Sequence, residues 1–167
     1  MASTGAQAPP PVARAGAALL VVGAAGTLAS LWRPWVVPDS DLVPGDDGAP
    51  VSNGWEWMTV GDVLLVALCG AAVLLAVLTA RGRSATPRRI ARGAATIATL
   101  FVMAAAAVLV LRAIAPLNFQ MDPDDAPGYR PLGGFGWALA GLAAGAVGAV
   151  MSTRASAKRA IGGLGPW

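Results

Sequence analysis

The chain has 167 residues, of which 56% are hydrophobic and 13% charged, and its formal net charge is +3. A soluble domain carries about 25% charged residues, so the composition argues against a water-soluble fold and for a membrane protein. With no histidine and one cysteine, Cys69, the chain also lacks the means for histidine acid–base chemistry, His/Cys metal sites, CxxC redox pairs or an internal disulfide.

In chain order, residues 1–12, with Pro9, Pro10 and Pro11, read as a disordered cytoplasmic tail. A membrane domain follows over 13–153, with spans at about 15–33, 59–80, 93–115 and 135–152. Crossing the hydrocarbon core takes about 20 apolar residues, and roughly 17 is the lower limit. The second and third segments exceed this easily, whereas the first and fourth are shorter and rich in Ala and Gly. A surface helix of a soluble bundle would need a polar face, and none of these has one. The first segment has a rival reading as a cleaved signal peptide, with Arg14 before the apolar run and Thr27-Leu28-Ala29 ahead of Ser30. Its apolar run is longer than a signal peptide needs, so retention is expected. The two outer loops, 34–58 and 116–134, are rich in Pro, Gly and Asp and are expected to be irregular. Residues 154–167 read as a basic cytoplasmic tail. The expected fold is therefore all-α: a polytopic four-transmembrane-helix bundle with irregular outer loops.

The charges are sorted along this frame. Arg14, Arg81, Arg83, Arg88, Arg89, Arg92, Arg154, Lys158 and Arg159 flank the spans on one side with no acid among them. All the acids, Asp39, Asp41, Asp46, Asp47, Glu56, Asp62, Asp122, Asp124 and Asp125, fall on the other side with Arg33, Arg112 and Arg130. The positive-inside rule counts Lys and Arg, so both termini and the 81–93 connection are expected in the cytoplasm of a multi-pass plasma-membrane protein. Anionic lipid headgroups are the natural partners of those basic residues. Nucleic acid is a poorer partner, since the basic segments are short and carry no interleaved aromatics. The cluster Asp122, Asp124 and Asp125 lacks the spaced oxygen ligands and central glycine of a calcium loop, so no metal or cofactor is expected.

Aromatic residues crowd the loop edges. Trp32, Trp35, Trp55, Trp57 and Trp137 are expected as an interfacial belt at headgroup depth. The alternative is a ligand or partner platform, in which Trp55 and Trp57 share a face of an extended segment across Glu56. Asp62 opens the second span. Thr59-Val60-Gly61-Asp62 fits a capping box, with Thr59 accepting from the Asp62 N–H and the Asp62 carboxylate reaching back. Arg112 mirrors it in the last turn of the third span, where a cation suits the helix dipole and can snorkel outward. The two arrive at similar depth on adjacent antiparallel helices, so an ion pair between Asp62 and Arg112 stands beside simple capping. Small residues recur at four-residue spacing, as Gly23-x-x-x-Thr27 and Gly26-x-x-x-Ser30 in the first span. The fourth has Gly141-x-x-x-Gly145 and Ala144-x-x-x-Gly148. Such spacing lets helix backbones approach closely, and packing within the bundle is expected rather than a dedicated dimer interface.

The stretches "LASLWRPWV", "GWEWMTVGDVLLVAL", "VLVLRAIAP" and "GGFGWALAGLAAGAVGAVMS" resemble a group of small four-span membrane proteins common in actinobacterial genomes. The resemblance runs from about Leu28 to Ser152, and the chain departs from it at Trp57-Met58 and in its acidic second outer loop. It implies the four-span topology, with Trp35, Trp55, Asp62 and Arg112 as recurring positions, and implies no activity. On topology and the Trp after the first span, the chain is also similar to tryptophan-operon-associated four-span membrane proteins.

Three function classes compete. An accessory or scaffold subunit of the cell envelope, possessing no catalysis, is favoured. A small transporter or channel acting as an oligomer is the alternative, although a four-span multidrug carrier needs a carboxylate well inside a span and Asp62 lies at the edge. A membrane enzyme is disfavoured because no phospholipid-transferase, lipid-phosphatase or quinone-reductase constellation is present. Cys69, mid-span with no base nearby, reads as a small core residue.

Overall fold

The computed structural model describes residues 10–38, 52–57, 61–81, 87–114 and 129–162. Among the described residues five helices and three short strands follow one another: α1 (Pro11–Ser30), β1 (Pro34–Pro38), β2 (Ser52–Asn53), α2 (Gly54–Trp57), α3 (Gly61–Arg81), α4 (Pro87–Ile114), β3 (Tyr129–Pro131) and α5 (Gly133–Gly162). Four of the helices, α1, α3, α4 and α5, are long and apolar enough to cross a membrane, over 20, 20, 25 and 24 residues. The chain is an integral membrane protein built as a four-helix bundle.

The helix ends follow local chemistry. α1 begins at Pro11, where a missing N–H costs nothing and a fixed φ suits the first turn. It ends at Ser30, short of the expected 33. The N–H groups of Leu31, Trp32 and Arg33 close the last turn on the carbonyls of Leu28, Ala29 and Ser30, and Pro34 bars a further one. Pro11 and Val12, assigned above to a disordered tail, are thus already helical. α4 likewise starts at a proline, Pro87, before the apolar stretch, so Arg88, Arg89 and Arg92 lie on helix. α5 continues past Ser152 through the Ala, Ser, Lys and Arg of 153–160, which are helix-compatible, and reaches Gly162. The basic tail is therefore a helical extension over most of its length.

The helices pack in the order α3–α1–α5–α4, each antiparallel to the next, with α3 and α4 meeting only loosely to close the ring. The tightest pair is α1 and α5. A methyl group on Gly23 would fall 2.7 Å from the Gly141 carbonyl oxygen, and one on Gly148 would fall 2.7 Å from the Leu20 backbone nitrogen. Only glycine permits backbones this close, which gives dispersion contacts that compensate for the missing hydrophobic drive between helices in lipid. The polar side chains in this seam satisfy themselves within their own helix. Thr27 donates to the Gly23 carbonyl at 2.9 Å and Ser152 to that of Gly148 at 3.0 Å. Phe101 of α4 lies against Gly145 and is fully buried, with Leu20 and Leu142 completing the centre. The expected bundle-internal use of the small-residue spacings describes this α1–α5 seam. Leu64, Leu74, Val102, Met103 and Val110 are exposed, as lipid-facing side chains should be.

The loops differ from expectation. Instead of being irregular throughout, they contribute an antiparallel sheet in the order β2-β1-β3. Val36 pairs with Pro131 and Val37 with Arg130 on one side of β1, while Pro34 pairs with Asn53 on the other. The Trp-Val-Val core of β1 has the β-branched and aromatic residues that favour a strand. Flanking Pro, Gly and Asp residues, which marked the loops as irregular, delimit these strands. The sheet lies over the end of the bundle where α1 stops and α5 begins, called here the sheet end.

Candidate functional site

Two features at the sheet end are candidates for function: a tryptophan-bearing cap and an apolar groove between α3 and α4. The cap is anchored by Trp35. Its side chain is 0% exposed, its ring centroid lies 4.7 Å from that of Phe135, and its indole Nε1 donates to the Ser30 carbonyl at 2.7 Å. Gly134 and Gly54 make room for it: a methyl on Gly54 would come within 3.0 Å of the Trp35 ring. Backbone bonds complete the fastening, from the Gly54 N–H to the Leu31 carbonyl at 3.0 Å and from the Leu132 N–H to the Trp35 carbonyl at 2.7 Å. Trp35 is therefore a core anchor, in correction of the belt assignment. An indole can be fully buried where its N–H finds an acceptor.

The other aromatics divide. Trp32 is 67% exposed and Trp137 53% exposed, so these two present apolar surface as interfacial residues do. Trp32 makes an edge contact with Trp55, with centroids 5.3 Å apart, and the Arg33 guanidinium carbon lies 5.3 Å from the Trp137 ring centroid. Trp55 is half-buried against the core, and its Nε1 has no hydrogen-bond partner among the described residues. Trp57 ends α2, and its side chain lies outside the described residues.

The extended segment that a shared Trp55–Trp57 face requires does not form, because the backbone of 54–57 is a helical turn. The turn is set by a reciprocal cap that the sequence reading missed. The Asn53 N–H donates to Glu56 Oε2 and the Glu56 N–H to Asn53 Oδ1, both at 3.1 Å. The signal for it is Asn-x-x-Glu, a capping box with asparagine at the first position.

Asp62 and Arg112 are not brought together. Asp62 is buried in the first turn of α3, with Oδ1 accepting from the Val63 N–H at 2.6 Å. Arg112 is exposed in the last turn of α4. Among the described residues there is no ion pair, so the Asp62–Arg112 bridge is not formed. The α3–α4 contact is the loosest between neighbouring helices of the bundle, and at this end it opens as a groove. Asp62 does engage its own first turn. The proposed partner Thr59 lies outside the described residues, as do Asp122, Asp124 and Asp125.

The groove is a cavity of about 540 Å³, running from Gly61 and Leu111 at the sheet end to Ala71 and Leu100. Every residue lining it is apolar, and small side chains such as Ala67 and Ala107 leave the space. Cys69 is buried and belongs to the interior stripe of α3 with Leu65 and Ala72. Comparison of the chain with protein-family models, curated proteins and solved structures finds no match.

Proposed function

We propose that the chain is a non-enzymatic accessory or scaffold subunit of the cell envelope, held in the plasma membrane with both termini in the cytoplasm and the tryptophan cap outside. The observation that supports this reading is the filled bundle. Glycine contacts bring the α1 and α5 backbones together, and Phe101, Leu20 and Leu142 occupy the centre. Charged side chains of the four described spans sit only in their end turns or extensions, from Arg14 and Asp62 to Arg112 and Arg154. A carrier or proton relay needs an ionisable group within the span, whereas a subunit that is touched by others needs a rigid body with an ordered outer face. The cap supplies that face, because Trp35 ties the sheet to α1 while Trp32, Arg33 and Trp137 stay exposed. On this orientation the basic residues around the α3–α4 connection and at the end of α5 meet anionic lipid at the cytoplasmic surface. The four-span group named on sequence resemblance is the proposed family context.

The experiment is affinity purification of the full chain from its native membrane in mild detergent, after chemical cross-linking. A membrane protein recovered in fixed proportion, and lost when Trp32 and Trp137 are both changed to Ala, supports the scaffold. A chain recovered alone that passes solutes when reconstituted in vesicles overturns it and favours the oligomeric transporter or channel.

A further inference from the structure

We propose that the α3–α4 groove holds one acyl chain of an anionic phospholipid from the leaflet at the sheet end, with Arg112 facing its phosphate. Three observations carry this. First, the groove extends over eleven residues of α3, from Gly61 to Ala71. At about 1.5 Å per residue it is about 15 Å long, half of the roughly 30 Å hydrocarbon thickness. Its lining stops at Ala71 of α3 and Leu100 of α4, each about half way along its helix, so the gap ends near mid-membrane. A transmembrane helix of a partner would need a groove through both leaflets; an acyl chain needs one. Second, the wall is built from apolar residues and the groove is about 540 Å³ in volume, within the range of sites that enclose small ligands. It offers no polar side chain to orient a soluble ligand.

Third, charge at the mouth favours an anion. Arg112 follows Leu111, the last α4 residue of the groove, and is exposed with no ion pair among the described residues. Its guanidinium matches phosphate geometry. The carboxylate at the same level, Asp62, belongs to the buried stripe of α3 and accepts from the Val63 N–H, so it does not occupy Arg112. The groove thus differs from the basic cytoplasmic surface, where lipid would be held by charge alone.

Native mass spectrometry of the full chain in detergent, titrated with phosphatidylglycerol or phosphatidylcholine of the same chain length, tests the assignment. The expected result is one lipid retained per chain, with phosphatidylglycerol favoured about fivefold, the worth of one cation near a membrane surface. Arg112→Gln should abolish the preference and keep the site. Ala67→Phe and Ala107→Phe fill the groove from positions that are exposed in the structure, so the core is untouched. Each should lower retention of both lipids, and an unchanged thermal midpoint verifies that the fold is intact. Retention that survives both Phe variants overturns the acyl-chain site. So does a preference unchanged in Arg112→Gln, or a co-purifying protein displaced by the Phe variants while lipid retention stays constant.

Discussion

The indole N–H of Trp35 donates to the carbonyl of Ser30 at 2.7 Å, and both residues are fully buried. Ser30 is the last residue of α1 and Trp35 lies in the first strand, so one bond joins the membrane bundle to its cap. The Ser30 carbonyl also accepts from the Arg33 N–H at 3.0 Å, which makes the turn between them a single bonded unit.

Trp35→Phe keeps most of the ring and removes the donor. Since Arg33 still satisfies the carbonyl, the cost should be about 1 kcal/mol. Trp35→Ala also empties the space beside Phe135 and should cost about 3–5 kcal/mol. Denaturant or thermal titration in detergent measures both, and equal losses for the two variants would show that the hydrogen bond outweighs the packing.

The glycine seam predicts position-specific damage. Gly23→Ala and Gly141→Ala place a methyl against backbone of the opposite helix, so each should destabilise by about 1–3 kcal/mol through overpacking. A methyl on Gly70 meets no atom within 4 Å, and Gly70→Ala should be neutral or stabilising by up to about 1 kcal/mol. Midpoints that fall equally for all three would contradict the α1–α5 contact.

Asp62 and Arg112 should behave as independent residues. In a double-mutant cycle, Asp62→Asn and Arg112→Gln should add to within about 0.5 kcal/mol. Asp62→Asn alone should cost less than about 1 kcal/mol, because asparagine can still accept from the helix N-terminus. A clear coupling energy in detergent would mean that the helix ends close up and the pair forms.

The proposed orientation has a direct check. Cysteines introduced at Ser52 and Ser84, in a Cys69→Ala background, should react differently with an impermeant maleimide on intact cells. Labelling is expected at Ser52, on the sheet end, and not at Ser84. The reverse pattern would invert the topology.

The four spans were legible in the sequence because insertion into lipid is decided segment by segment. The apolar runs from Gly61 to Ala80 and through most of Arg89 to Ala113 each satisfy the length of the bilayer on their own. The charge sorting that predicts orientation is local in the same sense. Tertiary structure decided which residues meet. A helix apolar on every face has no amphipathic stripe to say which side turns inward, so the burial of Asp62 and the exposure of Leu64 could not be read from periodicity. Gly23 and Gly145 hinted at contact through their size alone, and their pairing joins the two helices furthest apart in the chain. Trp35 has the same composition signal as Trp32. It is buried because β3, more than ninety residues later in the sequence, pairs beside it and brings Gly134 and Phe135 around its ring. Such contacts join chain segments far apart in sequence, which is why single-segment chemistry located the tryptophans near the membrane edge and the fold alone separated anchor from surface.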